Sequence, residues 1–156
     1  MPSRRELISM TEAETLAYLK QQTRVIIVTN GLHGMPHPVP MNYGVDDEGR
    51  LFITTFRKSQ KVKNLERDPR ATLLVESGEA YHDLKSVIAY CDAEIIDDPE
   101  VMIANMHGIQ RSEKLTAELS DDTVVQMRAT LAKRVMLRFT PFKIVSWDHS
   151  KLDTAY

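Results

Sequence analysis

Eight consecutive residues, Thr54–Lys61, hold two threonine hydroxyls, three cations and a serine placed to open a helix: Thr54, Thr55, Arg57, Lys58, Ser59 and Lys61, with Gln60 between the last two. Such a set binds anions. Ammonium and guanidinium groups supply charge, hydroxyls supply short donors, and a helix beginning near Ser59 or Gln60 offers unpaired backbone N–H groups. The wider window Arg57–Arg70 contains six basic residues (Arg57, Lys58, Lys61, Lys63, Arg67, Arg70) against Glu66 and Asp68, a net charge of +4. A solvated basic loop has the same composition, so composition alone leaves both readings open. The whole chain carries −2, so the remainder carries −6. That balance, with no aromatic interleaved in the basic window beyond Phe56, argues against a nucleic-acid partner.

Other chemistry is sparse. His33 and His37 flank Gly34-Met35-Pro36, but no Cys or carboxylate stands at ligand spacing, and no metal site is expected. The one cysteine, Cys91, excludes an internal disulfide and a multi-cysteine metal site, and reads as a small buried apolar residue. No side chain stands out as a catalytic acid, base or nucleophile, so catalytic residues stay unassigned. The N-terminus is mixed polar sequence, and the longest apolar run near it, Val25–Val28, is far too short for a signal or a span. A soluble, cytoplasmic protein without a membrane partner is the expectation.

The elements around the cationic loop follow from local pattern. Residues 1–22 form a helical N-terminal segment, in which Thr11-Glu12-Ala13-Glu14 is a capping box opening a helix over 11–22. Arg24–Thr29 is β-branched and strand-like, Asn30–Gly34 is a hairpin loop, and Pro36–Val45 is a second strand. Its prolines at 36, 38 and 40 require an edge, a bulge or an unpaired face. Arg50–Thr55 is the third strand, and it delivers the two threonines. Lys58–Arg67 is a short helix stopped by Asp68-Pro69. Arg70–Glu76 and Leu84–Ile96 are strands, helices follow over about 99–107 and 121–132, and Arg134–Trp147 is a last strand broken at Thr140-Pro141. Met102, Met106 and Met127 are read as packing residues. Six strands with short turns and few helices give one mainly β domain with flanking helices (α+β) over residues 1–156, a six-stranded antiparallel barrel closed by 134–156.

The order strand, Thr55, Ser59-Gln60-Lys61, Asn64-Leu65, Asp68-Pro69 resembles the pyridoxamine 5′-phosphate oxidase-like flavin-binding split barrel superfamily. Arg24–Thr29 followed by Gly34–Met41 is similar to that family's first hairpin. Phe139–Trp147 is similar to its closing strand, and Lys151-Leu152 to the basic-Leu pair beyond it. The resemblance implies a Greek-key split barrel and an isologous homodimer with the cofactor at the subunit interface. It implies an FMN-dependent oxidoreductase that exchanges hydride with a small organic substrate. Thr54, Thr55, Arg57, Lys58, Ser59, Gln60 and Lys61 would hold the phosphate, Met41 and Asn42 would line the ring, and Trp147 would reach the cofactor of the partner chain. His37, Tyr43, Tyr81 and Lys151 are the candidates for contact with substrate, with a core role for Tyr43 equally open. Val39 and Gly44 stand where true pyridoxamine phosphate oxidases carry Arg and Lys, and the tail offers only His149 and Lys151 in place of an Arg-x-His clamp. Oxidation of vitamin B6 is therefore not the expected activity. Two alternatives share the fold: a reductase using a deazaflavin coenzyme (F-420), whose anionic tail Lys58, Lys63 and Arg67 would meet, and a non-catalytic flavin or haem binding protein.

Overall fold

The computed structural model describes residues 3–108 and 121–152. Val25, Ile27 and Thr29 alternate inward along β1 (Arg24–Asn30), as period-two patterning requires. β2 (Pro36–Asn42) pairs with it antiparallel over its full length, from Asn30 opposite Pro36 to Arg24 opposite Asn42. The three prolines fall at alternate positions, so the ladder donors are left to His37, Val39 and Met41 and the outer edge of β2 lacks N–H groups where the prolines sit. That edge cannot add a further strand by regular pairing.

The expected second strand does not run on to Val45. It stops at Asn42, and after Tyr43 a two-residue strand, β3 (Gly44–Val45), pairs with β4 (Leu51–Phe56) instead. The sheet therefore has seven strands rather than six, in the order β2-β1-β5-β6-β7-β4-β3, where β5 is Arg70–Ser77, β6 is Lys85–Ile96 and β7 is Arg134–Asp148. Its two outermost strands are separated by a single residue, so Asn42 and Gly44 lie within about 7 Å along the chain. Strands that close in sequence sit at opposite edges only if the sheet curls until the edges meet, and the seam of that half-barrel is Tyr43. The fold is mainly β, antiparallel and flanked by helices, as the sequence indicates.

Inside the curl lie Val25, Ile27, Val45, Leu51, Ile53, Leu73, Val75, Val87, Cys91, Leu137 and Phe139, all buried. Burial pushes the Cys91 thiol up to about 12, with Asp92 adding to the shift, as suits a packing residue rather than a nucleophile. A second, smaller core lies on the outer side of the sheet. Phe52 and Met136 project there and are covered by Met102 and Ile103 of α4 (Pro99–Gly108) and Leu131 of α5 (Asp121–Leu131), with Met106 and Met127 against them. β7 is not broken at Pro141. It stays paired with β6 along its length, with a register shift at Tyr90/Cys91 opposite Pro141 that absorbs the missing donor. Two helices precede the sheet: α1 (Arg4–Ile8), and α2 (Glu12–Gln21), opened by the Thr11–Glu14 capping box. α3 (Gln60–Arg67) lies across the barrel end where β4 stops.

Candidate functional site

Ser59 is the N-cap of α3, yet its side chain makes no capping hydrogen bond, and its hydroxyl oxygen is buried with no partner. That is unlike Thr11, whose hydroxyl accepts from the Glu14 N–H at 3.2 Å and caps α2. The N–H groups of Gln60 and Lys61 open the helix and have no intrahelical acceptor. Two residues past the cap, Lys61 is 8% exposed and donates from Nζ to the Thr55 hydroxyl at 3.0 Å. Among the described residues no carboxylate pairs with it, and burial holds its ammonium below the usual lysine range. Gln60 donates to the Asn64 side-chain oxygen at 2.9 Å, and Asn64, fully buried, donates to Thr29 Oγ1 at 3.0 Å. These bonds fix the first turn of α3 against β1 and β4.

The seam between the sheet edges forms a cleft of about 450 Å³ lined by Arg24, Pro40, Met41, Asn42, Thr54 and Arg134. Arg24 begins β1 opposite Asn42. Arg134 begins β7 opposite Phe56, and its guanidinium lies 4.3 Å from the centre of that ring. Neither arginine has a carboxylate partner among the described residues. Arg24 and Arg134 were not legible as site residues, because they are brought together by the curl of the sheet and by no local pattern. Arg57 turns away to Asp97, at 3.0 Å, while Lys58 is exposed.

The remaining candidates separate. His37 stands on β2 opposite Thr29, with Nδ1 buried and unpartnered. The Tyr43 phenol is buried, donates to the Leu19 carbonyl at 2.6 Å, and is held neutral by burial that raises its pKa. Trp147 is half-buried at the far end of β7, opposite Ser86. Tyr81 packs against His149 there, with ring centres 4.6 Å apart and planes tilted by 56°, and Lys151 donates to the Ser9 carbonyl at 2.8 Å and pairs with Glu14 at 2.7 Å. Twelve residues of β7 separate Arg134 from Trp147, so these two lie near opposite ends of that strand. Among the described residues, no three His, Cys, Asp or Glu side chains gather as metal ligands do.

A curled antiparallel half-barrel with a cationic helix start at its open end and a cleft along its seam is the architecture of the flavin-binding split barrels. The chain belongs to the pyridoxamine 5′-phosphate oxidase family, whose description, "Pyridoxamine 5'-phosphate oxidase", matches residues 11–148. It is 28% identical over 136 residues to the 5a,11a-dehydrotetracycline/5a,11a-dehydrooxytetracycline reductase of Streptomyces rimosus, covering 85% of this chain and 79% of that protein. The crystal structure of the conserved hypothetical protein Rv2991 from Mycobacterium tuberculosis superposes with a TM-score of 0.81 at 33% identity, over 99% of this chain and 96% of the other. A FAD-binding protein of Mesorhizobium loti shares the fold at 15% identity, with a TM-score of 0.65 over 88% of this chain and 94% of that one.

Proposed function

We propose that the protein is a flavin-dependent reductase that holds FMN by its phosphate at the start of α3. The carrying observation is the buried Lys61 ammonium without a carboxylate, beside the unpartnered Ser59 hydroxyl and two free helix N–H groups. A buried cation and buried donors are costly unless an anion completes them, and a phosphate does so at a helix N-terminus. The residues present fit that group. A bound flavin would supply hydride transfer at its N5. Lys61 and Ser59 bind the phosphate, Thr55 orients the lysine, and Asn64 with Gln60 fixes the helix turn. Met41 and Asn42 offer main-chain groups to the ring along the seam, next to Thr54. Trp147, at the opposite end of its own chain, serves the site of a second copy in an isologous homodimer. The Streptomyces reductase supports the direction of the chemistry, delivery of hydride to an unsaturated organic substrate.

A deazaflavin coenzyme is a second reading with an observation of its own. Arg24, Lys58 and Lys63 form no ion pair among the described residues, so the cationic rim exceeds what one phosphate requires. An anionic tail would use that excess. Titration with FMN and with the deazaflavin, followed by absorbance, separates the two. Under either reading Lys61→Ala weakens cofactor affinity by about tenfold to a hundredfold, the worth of one hydrogen bond to a charged group. Unchanged affinity would place the phosphate elsewhere. Tight binding with no turnover of reduced nicotinamide and an acceptor would make the protein a carrier.

A further inference from the structure

Among the described residues, two buried side-chain polar atoms lack any hydrogen-bond partner: the Ser59 hydroxyl oxygen and Nδ1 of His37. They come from different elements to the same end of the sheet. His37 lies opposite Thr29 in the β2–β1 register, and directly opposed residues project from one face with Cβ atoms about 5 Å apart. Thr29 is fully buried, and its hydroxyl accepts from Asn64, which in turn accepts from Gln60, the residue between Ser59 and Lys61. So β1 and the first turn of α3 tie His37 to the residues assigned to the phosphate. Its own strand cannot satisfy it, because the next side chains on that face are Val39 and Met41. Buried polar atoms in folded proteins are nearly always paired, and two orphans linked through Thr29, Asn64 and Gln60 to a buried ammonium that has no carboxylate point to a shared missing acceptor.

We propose that His37 is a phosphate ligand, its Nδ1–H donating to the cofactor phosphate from the β2 wall while Ser59 and Lys61 donate from α3. This rests on the reading above that the phosphate sits at α3. Riboflavin and riboflavin 5′-phosphate differ only in that group, so the ratio of their affinities, read from quenching of flavin fluorescence, isolates it. The ratio is measured for the wild-type protein, Lys61→Ala, His37→Leu and His37→Asn, whose amide nitrogen lies near the place of Nδ1. His37→Leu is expected to lower the ratio about tenfold or more with riboflavin affinity unchanged, and His37→Asn to restore most of it. If Lys61→Ala lowers the ratio and His37→Leu leaves it at the wild-type value, His37 is not a ligand and the phosphate remains at α3. Equal loss of both flavins in His37→Leu, unrestored by Asn, also overturns the proposal. A wild-type ratio of one overturns both readings together.

Discussion

Lys61 is the residue at which stability and binding oppose each other. Its ammonium is buried, its one hydrogen-bond partner among the described residues is a neutral hydroxyl, and burial alone sets the direction of its pKa shift. Without cofactor the charged form is an expense to the fold. Replacing one partner of a buried pair strands the other, whereas replacing both by apolar groups of similar shape is neutral or stabilising. The double variant Thr55→Val, Lys61→Met is therefore expected to melt higher than the wild-type protein at neutral pH, by roughly 2–4 °C if the gain is near 1 kcal/mol. It is expected to lose cofactor binding at the same time. The pH dependence has a definite sign. The folded-state pKa of Lys61 lies below the unfolded value, so the unfolded chain binds more protons between the two. Wild-type stability then rises as pH climbs from the folded pKa towards about 10.5, and the gap to the double variant narrows. Calorimetry of the two proteins across that range checks it, and a constant gap would show that Lys61 is not penalised by burial.

At the scale of elements the decisive feature is the seam at Tyr43. Its hydroxyl donates to the carbonyl of Leu19, in the last turn of α2, where helix carbonyls have no acceptor role within the helix. One side chain thus satisfies a buried helix end and fixes the corner where β2 gives way to β3. Tyr43→Phe keeps the ring and deletes the bond, leaving a buried carbonyl unpaired, and is expected to cost about 1–3 kcal/mol with cofactor affinity preserved. Loss of substrate turnover without loss of stability would instead put the phenol in the pocket. This corner also marks how far the sequence can be read. The cationic loop could be picked out as a cluster because Thr54–Lys61 are contiguous and their chemistry is local. The capping box of α2, the prolines of an edge strand and the methionines under α4 and α5 were legible for the same reason. Period-two patterning, however, runs unbroken through Met41, Tyr43 and Val45, so it cannot show that the pairing partner changes at Tyr43. Once that change is missed, the meeting of Arg24, at the start of the first strand, with Arg134, at the start of the last, is missed with it. Pro141 misled in the opposite direction, since a bulge in β6–β7 keeps it in the ladder.

At the scale of the molecule, the proposal that two copies build each site rests on how the candidate residues are separated along β7. Arg134, in the seam cleft, begins β7, whereas Trp147 lies near the other end of that strand, with Tyr81 packed on His149 just beyond it. Beside Trp147 the same strand leaves Phe142 and Ile144 exposed, at 63% and 44%, above a groove of about 610 Å³ that also involves Met10, Leu16 and Leu19. Large apolar side chains exposed close together on one strand, next to a groove with a mixed lining, are what a second copy would cover. In the proposed isologous pair, the partner's β7 end would cover this face and bring a second Trp147 to the seam of the first chain. Light scattering is expected to give twice the 17.8 kDa of the chain. Phe142→Glu with Ile144→Lys is expected to shift the mass towards one chain and to weaken cofactor affinity, although neither residue lines the seam cleft or the α3 pocket. Trp147→Ala is expected to leave the dimer intact and to weaken the cofactor alone. A monomer that binds cofactor as tightly as the wild-type protein would show that one chain builds the whole site.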